Sequence, residues 1–101
     1  MNRYLISSDA DRDLSEIWEY IAADRLDDAD RWIEKLFDAF AALAQHPNLG
    51  HRREDLTPYS VLFWPVGSYL IIYRLAPTGL QIVAVTHGSR NIPAFLNQRF
   101  M

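Results

Sequence analysis

The chain has 101 residues, a net charge of −3 and no cysteine, and half of its residues are hydrophobic. This length fits a single domain over residues 1–101, and the apolar composition excludes a disordered chain. Without cysteine, disulfide frameworks and thiolate metal sites are excluded as well. The longest uncharged run, residues 56–73, contains two prolines and a glycine, which favours strands and turns over a membrane span. We therefore expect a cytoplasmic protein with no metal and no cofactor.

Charge is divided unevenly between the two halves of the chain. Residues 1–50 carry 5 basic and 11 acidic side chains, a balance of −6, whereas residues 51–101 carry 5 basic and 2 acidic ones, a balance of +3. Such an asymmetry indicates a partner that meets one face of the protein. The depletion of Asp and Glu in strands explains it equally well, so both explanations stay open.

The first half predicts a short strand followed by two amphipathic helices. Residues 3–7 are the strand candidate, and Ser8, with Asp11 three residues later, has the pattern of a capping box at a helix start. A second helix is expected to begin near Asp27 or Asp28, and apolar residues recur at helical spacing until residues 46–50, HPNLG, end it. The short link between the helices predicts an antiparallel hairpin.

The second half changes to strand patterning. Three runs rich in β-branched and aromatic residues, 60–64, 69–75 and 80–87, are separated by short turns with proline and glycine, which predicts consecutive antiparallel strands. Residues 92–100 predict a short terminal helix. This order predicts an α+β two-layer domain, in which an antiparallel β-sheet of four strands packs against the antiparallel helical hairpin. In that arrangement the second strand runs antiparallel to the first.

The third predicted strand is apolar on both faces, because Leu70 and Ile72 alternate with Tyr69, Ile71 and Tyr73. An antiparallel sheet that is covered on one side normally alternates apolar with polar residues. The second face therefore needs a cover of its own. The terminal helix is one candidate for this cover, and a partner chain is another.

Four segments, taken in order, carry a family resemblance. They are the opening helix at 8–21 with its Ile-Trp-Glu-Tyr-Ile core, the helix exit at 44–50, the hairpin FWPVGSYLIIYR at 63–74 and the strand end VTHGSRNI at 85–92. Together they resemble the ParE branch of the ParE/RelE superfamily, the small toxins of bacterial type II toxin–antitoxin pairs. The resemblance implies a plasmid-stabilisation toxin that forms a hetero-oligomer with a cognate ParD-like antitoxin. It further implies a poison of DNA gyrase that acts by protein binding, without its own catalytic site, membrane association or direct nucleic-acid binding.

The candidate partner-binding residues all lie in the basic half of the chain. They are Tyr69, Tyr73, Arg74, His87 and Arg90. In this hypothesis the antitoxin lays an amphipathic segment on the hairpin and on the exposed sheet face. Arg74, Arg90 and Arg99 are then expected to meet acidic groups of that segment.

Two alternatives stay open from the sequence. The RelE branch cleaves messenger RNA on the ribosome, and resemblance to its Glu–Arg–His set points to Glu54, Arg74 and His87 as the catalytic residues. A ribonuclease that binds RNA on the ribosome is expected to be strongly basic, so the net charge of −3 argues against this function. The other alternative is an inactive relative that still binds an antitoxin-like partner.

Overall fold

The computed structural model describes residues 3–100. In chain order, its elements are β1 (Tyr4–Ile6), α1 (Ser8–Ala22), α2 (Leu26–Gln45), β2 (Leu62–Val66), β3 (Tyr69–Ala76), β4 (Gly79–His87) and α3 (Ile92–Phe100). This order confirms the α+β class, with a helical hairpin followed by strands and a short terminal helix. No helix among residues 3–100 is long and apolar enough to cross a membrane.

The start of α1 lies one residue earlier than the sequence pattern predicts. Ser7 is the N-cap, because its side-chain oxygen accepts a hydrogen bond of 3.0 Å from the backbone N–H of Ala10. Asp9 and Asp11 then lie in the first turn, where negative charge complements the helix dipole. The capping-box assignment of Ser8 is therefore wrong by one position, although the helix itself begins there.

The sheet has the order β1-β4-β3-β2 and is mixed. Strands β2, β3 and β4 pair antiparallel as predicted, but β1 runs parallel to β4, with Leu5 opposite Gln81. The expectation of an antiparallel arrangement throughout is therefore wrong at β1, and β2 runs in the same direction as β1. The loop before β2 explains this direction. His51 forms an antiparallel bridge with Phe63, so the chain at residue 51 runs opposite to β2 and reverses its direction once more before β2 begins.

Hydrophobic residues fill both sides of the sheet. Against the hairpin, the buried cluster includes Leu14, Ile17, Leu36, Phe40, Ile71, Tyr73, Ile82 and Val85. On the other face, the cluster is formed by Val61, Phe63, Ile72, Val83, Ala84, Ile92 and Leu96, with Leu56, Tyr59 and Phe95 packed against it. The second face is thus covered by α3 together with the loop segment 56–61, so the terminal helix is the cover that the structure shows.

Candidate partner-binding groove

A surface groove of about 800 Å³ lies between α1 and the end of the sheet where β3 begins and β4 ends. We call it the α1–β4 groove. The side chains that give it chemical character are Glu16, Tyr20, Trp32, Tyr69, His87 and Arg90. Glu16 and Tyr20 come from α1 and Trp32 from α2, while the other three come from the sheet and the turn after it. Long-range folding therefore builds the groove from segments some seventy positions apart.

Three aromatic rings form one wall of the groove. Trp32 meets Tyr69 edge-on, with ring centres 5.3 Å apart, and Tyr69 meets His87 in the same way at 5.6 Å. Edge-to-face geometry is favoured by the charge distribution of aromatic rings, so each ring restrains the next. The Lys35 ammonium lies 4.8 Å from the centre of the Trp32 ring and adds a cation–π contact.

The turn between β2 and β3 depends on glycine at position 67. Gly67 has a φ of +58°, in the left-handed region that side chains with a Cβ rarely adopt. A Cβ added there would lie 2.5 Å from the Trp32 ring. The turn therefore lies directly against Trp32 and helps to set the position of the aromatic wall.

Tyr20 and Tyr69 face one groove but differ in exposure. Tyr20 is 79% exposed on α1, whereas Tyr69 is half-buried. Burial, and secondarily the nearby Tyr20, raises the pKa of Tyr69 above its ordinary value. The Tyr69 phenol therefore stays neutral at physiological pH, and Tyr20 offers a large amphipathic surface to a binding partner.

His87 and Arg90 supply polar groups at the end of β4. Nδ1 of His87 lies 2.7 Å from Oγ of Ser89 and accepts a hydrogen bond of 3.2 Å from the backbone N–H of the same residue, so the turn holds the His87 ring. The Arg90 guanidinium donates to Oγ1 of Thr86 at 3.4 Å and lies 4.7 Å from the centre of the Phe95 ring. Arg90 thus places positive charge on the sheet side of the groove, opposite in sign to Glu16 on α1.

Strand β4 has an irregularity in its pairing with β3. The β3–β4 register shifts where Tyr73 and Ile72 pair with Ile82 and Ala84, which leaves Val83 as the extra residue of a bulge. Near this bulge, the backbone N–H of Val85 and the backbone carbonyl of Val83 are hydrogen-bonded by side chains of α1 and α3.

Asp13 of α1 accepts a hydrogen bond of 3.0 Å from the backbone N–H of Val85. Arg99 of α3 donates to the same carboxylate at 2.9 and 3.1 Å, and to the Val83 carbonyl at 3.0 Å. The side chains of Arg99 and Asp13 are only 14% and 10% exposed. Arg99 is therefore held within the protein, and the expectation that it meets a partner's acidic groups is corrected.

The structure places the predicted partner-binding residues in three different locations. Tyr69, His87 and Arg90 line the α1–β4 groove. Tyr73 is fully buried in the core, so its assignment as a partner-binding residue is corrected as well. Arg74 is exposed near the opposite end of β3, where its Nε donates to Oε1 of Gln81 at 2.6 Å.

The three residues of the ribonuclease alternative do not come together. Arg74 pairs across the sheet with Gln81, whereas His87 pairs with Tyr69. At about 3.3 Å per residue, five positions of β3 separate the two sites by roughly 17 Å. Glu54 lies in the exposed loop before β2, with Oε1 4.0 Å from Arg52.

Sequence reasoning did not identify Glu16, Tyr20 and Trp32, which the helices contribute to the groove, as binding residues. Trp32 belongs to the apolar stripe of α2, which predicts a place in the hairpin core, and Tyr20 belongs to the Ile-Trp-Glu-Tyr-Ile motif of α1. Tyr20 directly precedes Ile21 and thus lies at the border of the buried stripe, which is the one signal that points to exposure.

Comparisons with known proteins give a consistent result. The family described as the ParE toxin of the type II toxin–antitoxin system parDE matches residues 4–92. Toxin ParE1 of Mycobacterium tuberculosis (strain CDC 1551 / Oshkosh) is 32% identical over 90 residues, which cover 85% of this chain and 89% of the relative. Toxin ParE1 of strain ATCC 25618 / H37Rv matches with the same identity and coverage.

Two solved structures share the fold. The chromosomal ParDE toxin–antitoxin system from P. aeruginosa superposes with a TM-score of 0.72 at 19% identity, covering 86% of this chain and 96% of that chain. The RelBE2 toxin–antitoxin complex from Mycobacterium tuberculosis superposes with a TM-score of 0.62 at 23% identity, covering 85% and 96%.

Proposed function

Because the chain belongs to the ParE family of toxins in type II toxin–antitoxin systems, we propose that a ParD-like antitoxin neutralises it by binding in the α1–β4 groove. We further propose that its target is DNA gyrase, which it inhibits by protein binding in the cytoplasm. The observation that carries the antitoxin site is the groove itself, where an exposed tyrosine faces a wall of aromatic rings.

The groove has the composition of a protein-binding site. Tyrosine, tryptophan and arginine are enriched among the residues that dominate binding energy, and Tyr20, Trp32 and Arg90 belong to these types. Glu16 and Arg90 carry opposite charges, which suits a partner segment with one basic and one acidic side chain around an apolar centre. An amphipathic antitoxin segment has this character.

The gyrase target is supported by the family and by the geometry of the ribonuclease candidates. The ParE branch is the one whose members generally poison gyrase, and both the family match and the 32% identical relative belong to it. Arg74 lies five positions along β3 from Tyr69, the residue that pairs with His87, so Arg74 and His87 do not form one phosphate-cleaving site. The likeness to RelBE2, at 23% identity, reflects the shared fold.

The antitoxin site is tested with the antitoxin encoded beside the toxin gene and with toxin variants, by isothermal titration calorimetry. Tyr20→Ala is expected to weaken binding by about tenfold or more, because an aromatic anchor is lost. Leu75→Ala is the control, since Leu75 is 52% exposed on β3 at the end away from the groove. Equal affinities of Tyr20→Ala and the wild type would refute the groove as the antitoxin site.

The target is tested with purified gyrase in a supercoiling assay that also monitors DNA cleavage. We expect the toxin to inhibit supercoiling and to accumulate cleaved DNA, and the antitoxin to relieve both effects. Unaffected gyrase together with mRNA cleavage on ribosomes would replace this target with the ribonuclease alternative. Inactivity in both assays would identify an inactive relative.

A further inference from the structure

Arg90 lines the α1–β4 groove, but its side chain is held from outside the groove. Its guanidinium lies 4.7 Å from the ring centre of Phe95, a residue of α3. Phe95 is half-buried and packs against the hydrophobic cluster on the far face of the sheet. The groove residue therefore rests on a ring that belongs to the opposite layer of the protein.

That ring is itself anchored by a second arginine. The Arg99 guanidinium also lies 4.7 Å from the Phe95 ring centre. Arg99 in turn is held by the Asp13 carboxylate and the Val83 carbonyl, with distances from 2.9 to 3.1 Å. A continuous set of contacts thus runs from the buried ion pair, through Phe95, to the exposed cation at the groove.

We propose that Phe95 is a positioning residue, which holds the Arg90 guanidinium in the orientation that an acidic group of the antitoxin meets. This proposal rests on the proposed antitoxin site. Binding is stronger when a long side chain is ordered before the partner arrives, because less conformational entropy is lost on association. Cation–π contacts of this kind are strong enough to bias an exposed arginine toward one conformation.

The matched pair of variants is Phe95→Leu and Phe100→Leu. Both remove a ring from α3, but Phe100 packs against Tyr59, with ring centres 4.4 Å apart, whereas Phe95 holds Arg90. Phe95→Tyr keeps the ring and serves as the conservative variant. The measurements are antitoxin affinity by calorimetry, order of the Arg90 Nε–H group by NMR relaxation in the free toxin, and thermal unfolding.

We expect Phe95→Leu to increase Arg90 mobility and to weaken antitoxin binding by about threefold to tenfold. Phe95→Tyr is expected to retain wild-type values for both, and Phe100→Leu to lower the unfolding temperature while leaving Arg90 order and affinity unchanged. Unchanged Arg90 order in Phe95→Leu, or equal loss of affinity in both leucine variants, would overturn the proposal.

Failure of the proposed antitoxin site gives a different pattern. If wild-type affinity does not depend on Tyr20, the groove is not the antitoxin site, whatever Phe95 does. The NMR measurement on the free toxin then still decides whether Phe95 orders Arg90.

Discussion

The Tyr73 hydroxyl joins the exit of α2 to the centre of the sheet. It donates to the Pro47 carbonyl and accepts from the Gly50 backbone N–H, each at 2.8 Å. Gly50 lies so close that an added Cβ would approach the hydroxyl to 2.4 Å. Tyr73, which the sequence suggests as a surface residue, is therefore buried and links the two segments by hydrogen bonds, and the absence of a side chain at Gly50 leaves space for its ring.

Tyr73→Phe is expected to lower the free energy of unfolding by about 1–3 kcal/mol, because the Gly50 N–H loses its partner in a buried environment. Urea unfolding followed by circular dichroism measures the change. Tyr59→Phe, a half-buried tyrosine on the other face, is the control. If both variants change stability equally, the two Tyr73 hydrogen bonds have no special weight.

Gly67→Ala is expected to destabilise the fold by more than about 1 kcal/mol, since a left-handed backbone disfavours a Cβ and Trp32 occupies its space. Near-ultraviolet circular dichroism should also report movement of Trp32. Gly88→Ala is the control at the same end of the sheet, where the added Cβ would lie 3.4 Å from the Ser68 carbonyl. A Gly67→Ala protein as stable as Gly88→Ala would contradict the assigned turn geometry.

Helix α3 has only nine residues, but it contacts both the sheet and α1. It covers the second face of the sheet with Ile92 and Leu96, and through Arg99 it reaches across to α1. Asp13 and Arg99 together bond backbone groups of Val85 and Val83 in β4, beyond Ile82, where the pairing with β1 ends. The terminal helix is thus linked directly to the hairpin on the other side of the sheet.

Arg99→Met is expected to cost about 3–5 kcal/mol of stability, because it leaves the Asp13 carboxylate buried without its cation. Denaturant unfolding measures this loss, and adding Asp13→Asn in the same chain is expected to recover part of it. Arg12→Met is the control, since Arg12 pairs with Asp9 at 3.8 Å on the surface, where ion pairs contribute at most about 1 kcal/mol. Similar small losses in both single variants would show that the buried pair is dispensable.

For the molecule as a whole, one sheet packs between a helical hairpin and a short third helix, and the groove opens where the hairpin meets the end of the sheet. The two tyrosines whose pKa values are shifted, Tyr69 and Tyr73, both lie on the hairpin face of this sheet. Burial is the main cause in each case, so ionisation of either phenol opposes the packing of the two layers.

Alkaline pH is therefore expected to destabilise the whole fold. The folded-state pKa of each tyrosine lies above the unfolded value, so their contribution is complete below about pH 10 and is lost as pH rises through the folded pKa. Urea unfolding at intervals from pH 8 to pH 11 measures this. Tyr69→Phe should flatten part of the decline, and an identical decline in this variant would exclude Tyr69 as a contributor.

The family, the fold class and the positions of most elements are predicted from the sequence, because they depend on local patterns. The helical spacing of apolar residues predicts α1 and α2. Runs of β-branched and aromatic residues, separated by turns that contain proline or glycine, predict β2 to β4. The match of residues 4–92 to the ParE toxin family confirms the resemblance drawn from four short motifs.

Which side chains are available to a partner depends on contacts between segments that are far apart in the sequence. Tyr73 and Arg99 have residue types that suit a binding surface, but long-range packing buries one and pairs the other with Asp13. The parallel direction of β1 and the approach of Tyr20 to Tyr69 likewise depend on contacts between distant segments. The spacing of apolar residues in the sequence reveals whether a segment is a helix or a strand. The contacts of each side chain depend instead on the distant residues that folding places beside it.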